Sequence, residues 1–320
     1  MILVTGGLGF IGSHASRALL DLGERLVIAQ RRVGRPPDFL ATEAGERAVV
    51  ETMDCTDLAS VLDVGDRYDI TGIMHLAAVG LGQGEPLDEL WANTQALFTM
   101  LRAAQTWGVD RVVLASTIGV YGGVSTDAYR EDAPLPIPSA HLIPAHKKSA
   151  EIIASTVGHS TGLDIVSARL GAIWGPLGRT PSPFFGAPQL VHAAARPGER
   201  DADAGAGPKP LYAEDGVDMC YVRDCARALA LLQATPALNH RTYNIGSGRV
   251  TTNRAVAEAI IRAVPDAVPV LTDGRGPYAP AVDAHLDITR LRADTGYAAE
   301  YDLDRGIGDY LDWLKAGHPR

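Results

Sequence analysis

Residues 5–12 read Thr5-Gly6-Gly7-Leu8-Gly9-Phe10-Ile11-Gly12 and follow directly on the apolar run Ile2-Leu3-Val4. A strand feeding a glycine-rich turn that feeds a helix admits few folds. Gly6 lets the chain turn sharply. Gly9 has no side chain to obstruct a pyrophosphate, and Gly12 lets the helix pack close to the sheet. Free amides and the positive end of the helix dipole then favour phosphate at the helix N-terminus. The turn predicts a dinucleotide-binding unit.

The rest of the chain continues the pattern. Strands are expected at Ile2–Thr5, Arg25–Ala29, Ala48–Glu51, Ile70–Leu76, Arg111–Ser116 and Asp164–Arg169. Helices are expected at Ile11–Leu22 (closed by Gly23), Leu58–Leu62 (capped by Asp57), Leu87–Trp107 and Ala145–Val157. Repeated βα units imply an α/β fold, a doubly wound parallel sheet with helices on both faces. After Trp174-Gly175-Pro176 the texture changes, and 175–217 is rich in Gly, Pro and Ala, with Arg196–Pro210 expected as an exposed loop or lid. Order returns in Tyr221–Leu232 (helical after Asp224), Thr242–Ile245, Thr252–Val264 and Ile307–Leu314. This divides the chain into a dinucleotide-binding domain, 1–173 with 217–246 returning to it, and a smaller substrate-binding domain, 174–216 with 247–320.

Composition narrows the partners. The 320 residues are 46% hydrophobic and 21% charged, a globular composition with a large core. A net charge of −9 without a dense basic run argues against nucleic acid. Cys55, Cys220 and Cys225 show no metal-binding spacing, and their odd number suits a reducing compartment. No apolar stretch reaches the roughly 20 residues of a membrane span. The first strand starts at residue 2, leaving no room for a signal peptide, so a cytoplasmic location is expected.

Several blocks together resemble the extended short-chain dehydrogenase/reductases of the NAD(P)-dependent epimerase/dehydratase family. These are TGGLGFIG at 5–12, His75-Leu76-Ala77-Ala78, Asn93, Ser116-Thr117-Ile118-Gly119-Val120-Tyr121-Gly122, Arg169-Leu170 through Trp174-Gly175-Pro176, Tyr221-Val222-Arg223-Asp224, and Tyr243-Asn244-Ile245-Gly246-Ser247-Gly248. The resemblance implies a Rossmann domain for the cofactor, a C-terminal substrate domain, and a small-molecule substrate in the cleft between them. It also implies a homodimer built from the long helices near 93–107 and 145–158. The cofactor contacts it implies are Gly6, Gly9, Phe10, Ile11, Gly12, Gln30, Arg31, Arg32, Asp54, Cys55, Leu76, Ala77, Ala78, Asn93, Ser116 and Lys147.

An NAD site normally carries an acid at the end of the second strand, on the ribose hydroxyls. Here Gln30 stands there, followed by Arg31 and Arg32. No carboxylate repels a 2′-phosphate and two guanidiniums could clamp one, so NADP is favoured, with NAD possible. Asp54 falls where the family places a carboxylate on the adenine.

The resemblance also implies a Tyr and a Lys four residues apart on one helix face. The Lys holds the nicotinamide ribose and lowers the Tyr pKa. The Tyr exchanges a proton with the substrate oxygen as hydride moves, and a Ser or Thr, here Thr117, bonds the same oxygen. The Tyr is missing. Counting back from Glu151 makes Lys147 the lysine and leaves Ile143 in the Tyr position; counting from Lys148 leaves Pro144 there. Pro144 suits a first helical position, with His141 in the loop before it. Thr117, Lys147, Tyr121 and His141 are the catalytic candidates, with His146 and Tyr129 weaker ones.

Other departures concern the substrate. Ile118-Gly119 stands where sugar-nucleotide dehydratases carry an acid pair, so 4,6-dehydration is not expected. Val217 stands where nucleotide-sugar enzymes tend to carry a diphosphate-binding Arg, which argues against nucleotide sugars unless Arg179, Arg196 or Lys209 compensates. Three functions stay open: an NADP-dependent oxidoreductase or epimerase on a small hydroxylated or carbonyl metabolite; a non-redox lyase, isomerase or cyclase retaining the dinucleotide; and an inactive NADP-binding sensor.

Overall fold

The computed structural model describes every residue except 33, 42, 44, 79–83, 140, 181–184, 199–209, 278, 280–281 and 319–320. Its elements run β1 (Ile2–Thr5), α1 (Phe10–Asp21), β2 (Leu26–Gln30), α2 (Asp38–Ala41), β3 (Ala48–Thr52), α3 (Leu58–Arg67), β4 (Gly72–His75), α4 (Pro86–Trp107) and β5 (Arg111–Thr117). A single turn of tighter helix, Ile118–Tyr121, leads to β6 (Ala128–Tyr129), α5 (Leu142–Thr161), β7 (Ile165–Leu170), β8 (Ala172–Trp174) and α6 (Ala187–Ala195). Then come β9 (Gly216–Val217), β10 (Met219–Tyr221), α7 (Val222–Ala234), β11 (Thr242–Ile245), β12 (Thr251–Thr252), α8 (Asn253–Ala263), β13 (His285–Leu286), α9 (Thr289–Thr295) and α10 (Leu303–Lys315).

Seven strands, all parallel, form the central sheet in the order β11-β7-β5-β4-β1-β2-β3. The order reverses between β1 and β4, and ligands of such sheets bind beyond the strand C-termini at that point. Thr5 there pairs with both Ala29 and His75. The strands are nearly continuous apolar runs because both faces are covered. One face packs against α1, α7 and α9 through Leu19, Leu20, Leu229 and Leu291. The other packs against α3, α4 and α5 through Val61, Leu97, Met100 and Ala154. A third cluster joins Trp174, Leu190, Val191, Ile260, Tyr310 and Leu314, apart from the sheet.

Glycine geometry explains the tight β1–α1 turn. Gly6 takes a φ of +67°, and a Cβ on it would lie 3.0 Å from Ala77 Cα. A Cβ on Gly12 would lie 2.1 Å from the Gly6 carbonyl oxygen, inside any permitted contact. Gly9 differs: its added Cβ would meet only the Gly6 oxygen, at 3.1 Å, and its outer side is open.

Asp57 caps α3 as expected, accepting from Ala59 N–H at 2.9 Å, and Thr252 caps α8. Some expectations are corrected. Helix α5 starts at Leu142, so Pro144 is its third residue; the first helical amides have no partner to lose, and Pro is tolerated there. Helix α7 starts at Val222, with Asp224 inside its first turn, where the carboxylate accepts from Glu300 and Tyr301 N–H. The expected lid lies largely outside the described residues.

Candidate active site

The cofactor candidates gather around the β1–β4 switch point. The first amides of α1 have no intrahelical partner, and its N-cap residue Gly9 is exposed. Thr5 Oγ1 accepts from Ala77 N–H at 3.2 Å and lies 2.7 Å from His75 Nδ1, which fixes the Leu76-Ala77-Ala78 loop against β1. Burial, reinforced by Lys147 and His146, pushes His75 down to about 3, so it is a neutral ring at physiological pH. Beyond Gln30, Arg31 and Arg32 are exposed and make no hydrogen bond or ion pair among the described residues. Asp54 accepts from the Thr56 amide at 2.9 Å and hydroxyl at 2.8 Å, which hold its carboxylate below the usual range, with Arg31 adding to the effect. Burial raises the Cys55 thiol to about 11, so it packs rather than reacts.

Two cofactor candidates spend their side chains elsewhere. Ser116 donates its hydroxyl to Glu151, and Asn93 Nδ2 donates to the Glu89 carbonyl of its own helix at 2.7 Å. Any contact of Ser116 with a cofactor is thereby left to its backbone.

At the other end of the site, α5 presents Ile143 and Lys147 on one face, four residues apart. The two lysines differ in how their side chains are engaged. Lys148 is buried and donates to the Pro136 and Pro138 carbonyls, tying the preceding loop to the helix. Lys147 makes no hydrogen bond or ion pair among the described residues and shares its field with His75 at the end of β4. Burial pulls its ammonium down to about 8, against the opposing pull of Glu151. Thr117 ends β5, where its Oγ1 accepts from Gly119 N–H at 3.1 Å and keeps a proton to donate. The head of α5 closes on this turn, since a Cβ on Gly119 would lie 3.0 Å from Pro144 Cγ.

The expected substitutes for the phenol fare differently. Tyr121 is fully buried, and its hydroxyl donates to Asn244 Oδ1 and accepts from Arg169, both at 2.8 Å. Its ring is stacked on Tyr129 at 4.6 Å. Its one proton is committed to Asn244. His141 is the exposed N-cap of α5, without a side-chain cap bond. His146 stands beside Lys147, partly buried, and burial followed by the lysine's charge brings it to about 4. Ile143, four residues before Lys147 on the same helix, is aliphatic.

Behind these residues lies a buried polar network that the sequence reading missed. Glu151 accepts from Ser116 and from Arg169, whose Nη2 is at 2.7 Å; Arg169 continues to Tyr121, and Tyr121 to Asn244. The signal was present in the arginine inside the apolar strand Ile165–Leu170. A second hub is Asp218, fully buried, which accepts from the amides of Ser247, Gly248 and Leu286. The Gly175–Gly178 segment folds back over α1, with His14 Nε2 3.1 Å from the Pro176 oxygen. Leu177, in that segment, has a φ of 69° and is the one non-glycine residue with positive φ among those described.

Residues 2–246 match the profile of the NAD dependent epimerase/dehydratase family. The chain belongs to this family. It is 32% identical over 332 residues, 98% of the chain, to a UDP-glucose 4-epimerase of Azospirillum brasilense, covering 92% of that protein. It is 28% identical to a dTDP-glucose 4,6-dehydratase of Streptomyces griseus, covering 98% and 93% of the two chains. A crystal structure of the Thermus thermophilus UDP-glucose 4-epimerase with NAD superposes with a TM-score of 0.75 at 25% identity, covering 97% of each chain. The fold is also that of a Stenotrophomonas maltophila UDP-glucose-4-epimerase holding NAD, at a TM-score of 0.81, 22% identity and coverage of 99% and 98%.

These relatives are named for nucleotide sugars, so the expectation of a different substrate class finds no support among them. The family member described here has Val217 in β9, paired with Thr251 of β12, where a diphosphate-binding Arg was sought. Arg179 is exposed, and Arg196 donates to the Leu314 and His318 carbonyls, tying down the end of α10. Lys209 lies outside the described residues. Arg275 lies near β9, donating to the Glu214 carbonyl and in a two-bond pair with Asp283 at 2.8 Å. Asp283 itself borders Gly216.

Proposed function

We propose that this chain is a nicotinamide-dinucleotide-dependent epimerase or oxidoreductase that oxidises and re-reduces a secondary hydroxyl on a nucleotide-sugar substrate, with NADP preferred over NAD. The observation that carries the reading is Lys147, a cation of α5 with no hydrogen bond or ion pair among the described residues, close enough to the β4 terminus to act on His75. The relatives support the reaction class and the substrate class. Arg31 and Arg32, exposed and outside any ion pair among the described residues, support the 2′-phosphate. Arg275 beside β9 supports a diphosphate, which would replace Asp283 as its partner.

When bound, the dinucleotide supplies a hydride acceptor. The residues of this chain do the rest. The amides behind Gly9 bind the pyrophosphate, Asp54 and the Leu76-Ala77-Ala78 loop border the adenosine half, and Lys147 holds the nicotinamide ribose. Thr117 donates a hydrogen bond to the substrate oxygen. The cluster around Trp174, Leu190 and Tyr310 forms the substrate domain's core.

Support for a homodimer comes from the outer face of α4, where Leu87, Trp91 and Phe98 are 80%, 75% and 53% exposed, and from Ile152 of α5, 68% exposed.

The test is to titrate NADP and NAD against the purified protein, then assay UDP- and dTDP-hexoses for epimerised or oxidised product while following nicotinamide absorbance. Binding of a dinucleotide with epimerised or oxidised sugar supports the proposal. No association with either dinucleotide defeats it. Turnover without any change in nicotinamide redox state, including transient change, would favour a non-redox reaction, for which the aliphatic Ile143 is the motivating observation.

A further inference from the structure

We infer that Lys147 is itself the acid–base group of the reaction, taking the substrate's hydroxyl proton on its Nζ and returning it, as well as holding the cofactor ribose. This rests on the proposed dinucleotide-dependent chemistry and assigns its missing proton carrier. The argument is one of elimination and placement. The position four residues before Lys147 is Ile143, which carries no proton. The Tyr121 phenol has both its roles filled by Arg169 and Asn244. His75 is held by Thr5, and Lys148 by two backbone carbonyls. Thr117 can donate a hydrogen bond, but its alkoxide is far too basic to act as a base at neutral pH.

His141 and His146 also make no hydrogen bond or ion pair among the described residues, but of the three only Lys147 stands four residues from Ile143 on the same face of α5. The charged and titratable groups facing it are His75 from β4 and His146 and Glu151 from α5. β5 contributes Ser116, whose hydroxyl is bonded to Glu151. Glu151 is saturated by Arg169 and Ser116, so it does not clamp the ammonium. Burial therefore prevails and leaves a large share of the amine neutral near pH 8.

The sequence points the same way. Of its 29 lysines and arginines only four are lysines: Lys147, Lys148, Lys209 and Lys315. A chain that fills nearly every cationic position with Arg keeps Lys here, and Arg cannot release a proton at working pH.

In the oxidation step the substrate O–H bond breaks and an N–H bond forms on neutral Nζ, giving an ammonium. The carbon–hydrogen electron pair leaves as hydride for the oxidised nicotinamide dinucleotide, and the carbonyl forms. Re-reduction reverses each transfer, so no further oxidant, reductant or proton source is consumed.

The experiment compares the wild type with Lys147→Arg. An Arg keeps the cation for the ribose but cannot cycle a proton. The expected result is dinucleotide affinity within about threefold of wild type, with kcat down by roughly 100-fold or more. The wild-type rate of oxidation should rise with pH through about 8, and the variant's should not. A readout independent of turnover is competitive acylation across pH with mass spectrometry of the peptide holding residues 147 and 148. Lys147 should become reactive about two pH units below a free lysine amine, whose pKa is about 10.4. Three outcomes overturn the inference alone: a variant kcat within threefold of wild type, parallel loss of affinity and rate, or a Lys147 titration at the ordinary value. Failure of the wild type to bind any dinucleotide instead removes the underlying proposal, and the inference with it.

Discussion

The Tyr121 hydroxyl donates to Asn244 and accepts from Arg169, and its ring is sealed between Arg169 and Tyr129. Its role is therefore to hold β7 and β11 in place beneath the site. Tyr121→Phe should cost about 1–3 kcal/mol in urea unfolding, because buried partners lose a bond. It should leave the pH dependence of turnover unchanged; a shifted profile would contradict this. Glu151→Ala is more severe. It strands the buried Arg169 guanidinium and should cost about 3–5 kcal/mol. Buried histidines set an acid limit. His14 and His75 sit near 4 and 3, well below the ordinary value, so the unfolded chain binds their protons first. Their contribution is complete above pH about 6.5 and is lost as pH falls toward their folded values, at about 2 kcal/mol each by pH 5. Urea melts at pH 7 and pH 5 measure this loss, and His14→Gln should reduce it.

At the scale of the element, the β1–α1 turn separates fold from binding. Gly12→Ala places a methyl on the Gly6 carbonyl and should abolish folded protein, read by circular dichroism. Gly9→Ala meets little protein, so the fold should persist while dinucleotide affinity drops at least about tenfold, because the methyl stands where the pyrophosphate approaches. Replacing Arg31 and Arg32 together by Ala should weaken NADP by about tenfold or more and NAD by less than about threefold; equal losses would remove the 2′-phosphate argument. This turn was legible in the sequence because glycine positions there answer to hard sterics. The long strands were legible because burial on both faces makes them continuous apolar runs. The two- and three-residue strands β6, β8, β9, β10, β12 and β13 were not, since so few residues show no periodicity. Counting back from Glu151 favoured Lys147 over Lys148, but counting says nothing of how either side chain is engaged. Adjacent residues on a helix point about 100° apart, and only the Pro136 and Pro138 carbonyls reveal which ammonium is spent. Likewise Arg196 and Tyr121 have suitable chemistry but partners distant in sequence, which no local pattern announces.

For the whole molecule, the exposed apolar side chains of α4 and α5 predict self-association. Trp91→Glu should convert a dimer to a monomer in sedimentation without altering circular dichroism. A wild type that sediments as a monomer at micromolar concentration would exclude the helix-paired dimer.

The packing of α1 against α7 has a bearing on how this protein is made. The first helix leaves the ribosome with one apolar flank bare, and the segment that shelters it is translated roughly 200 residues later, a wait of about 10–40 s. For that interval the nascent amino-terminal half is a client for holdase chaperones, and codon choices that slow elongation before residue 222 lengthen the exposure.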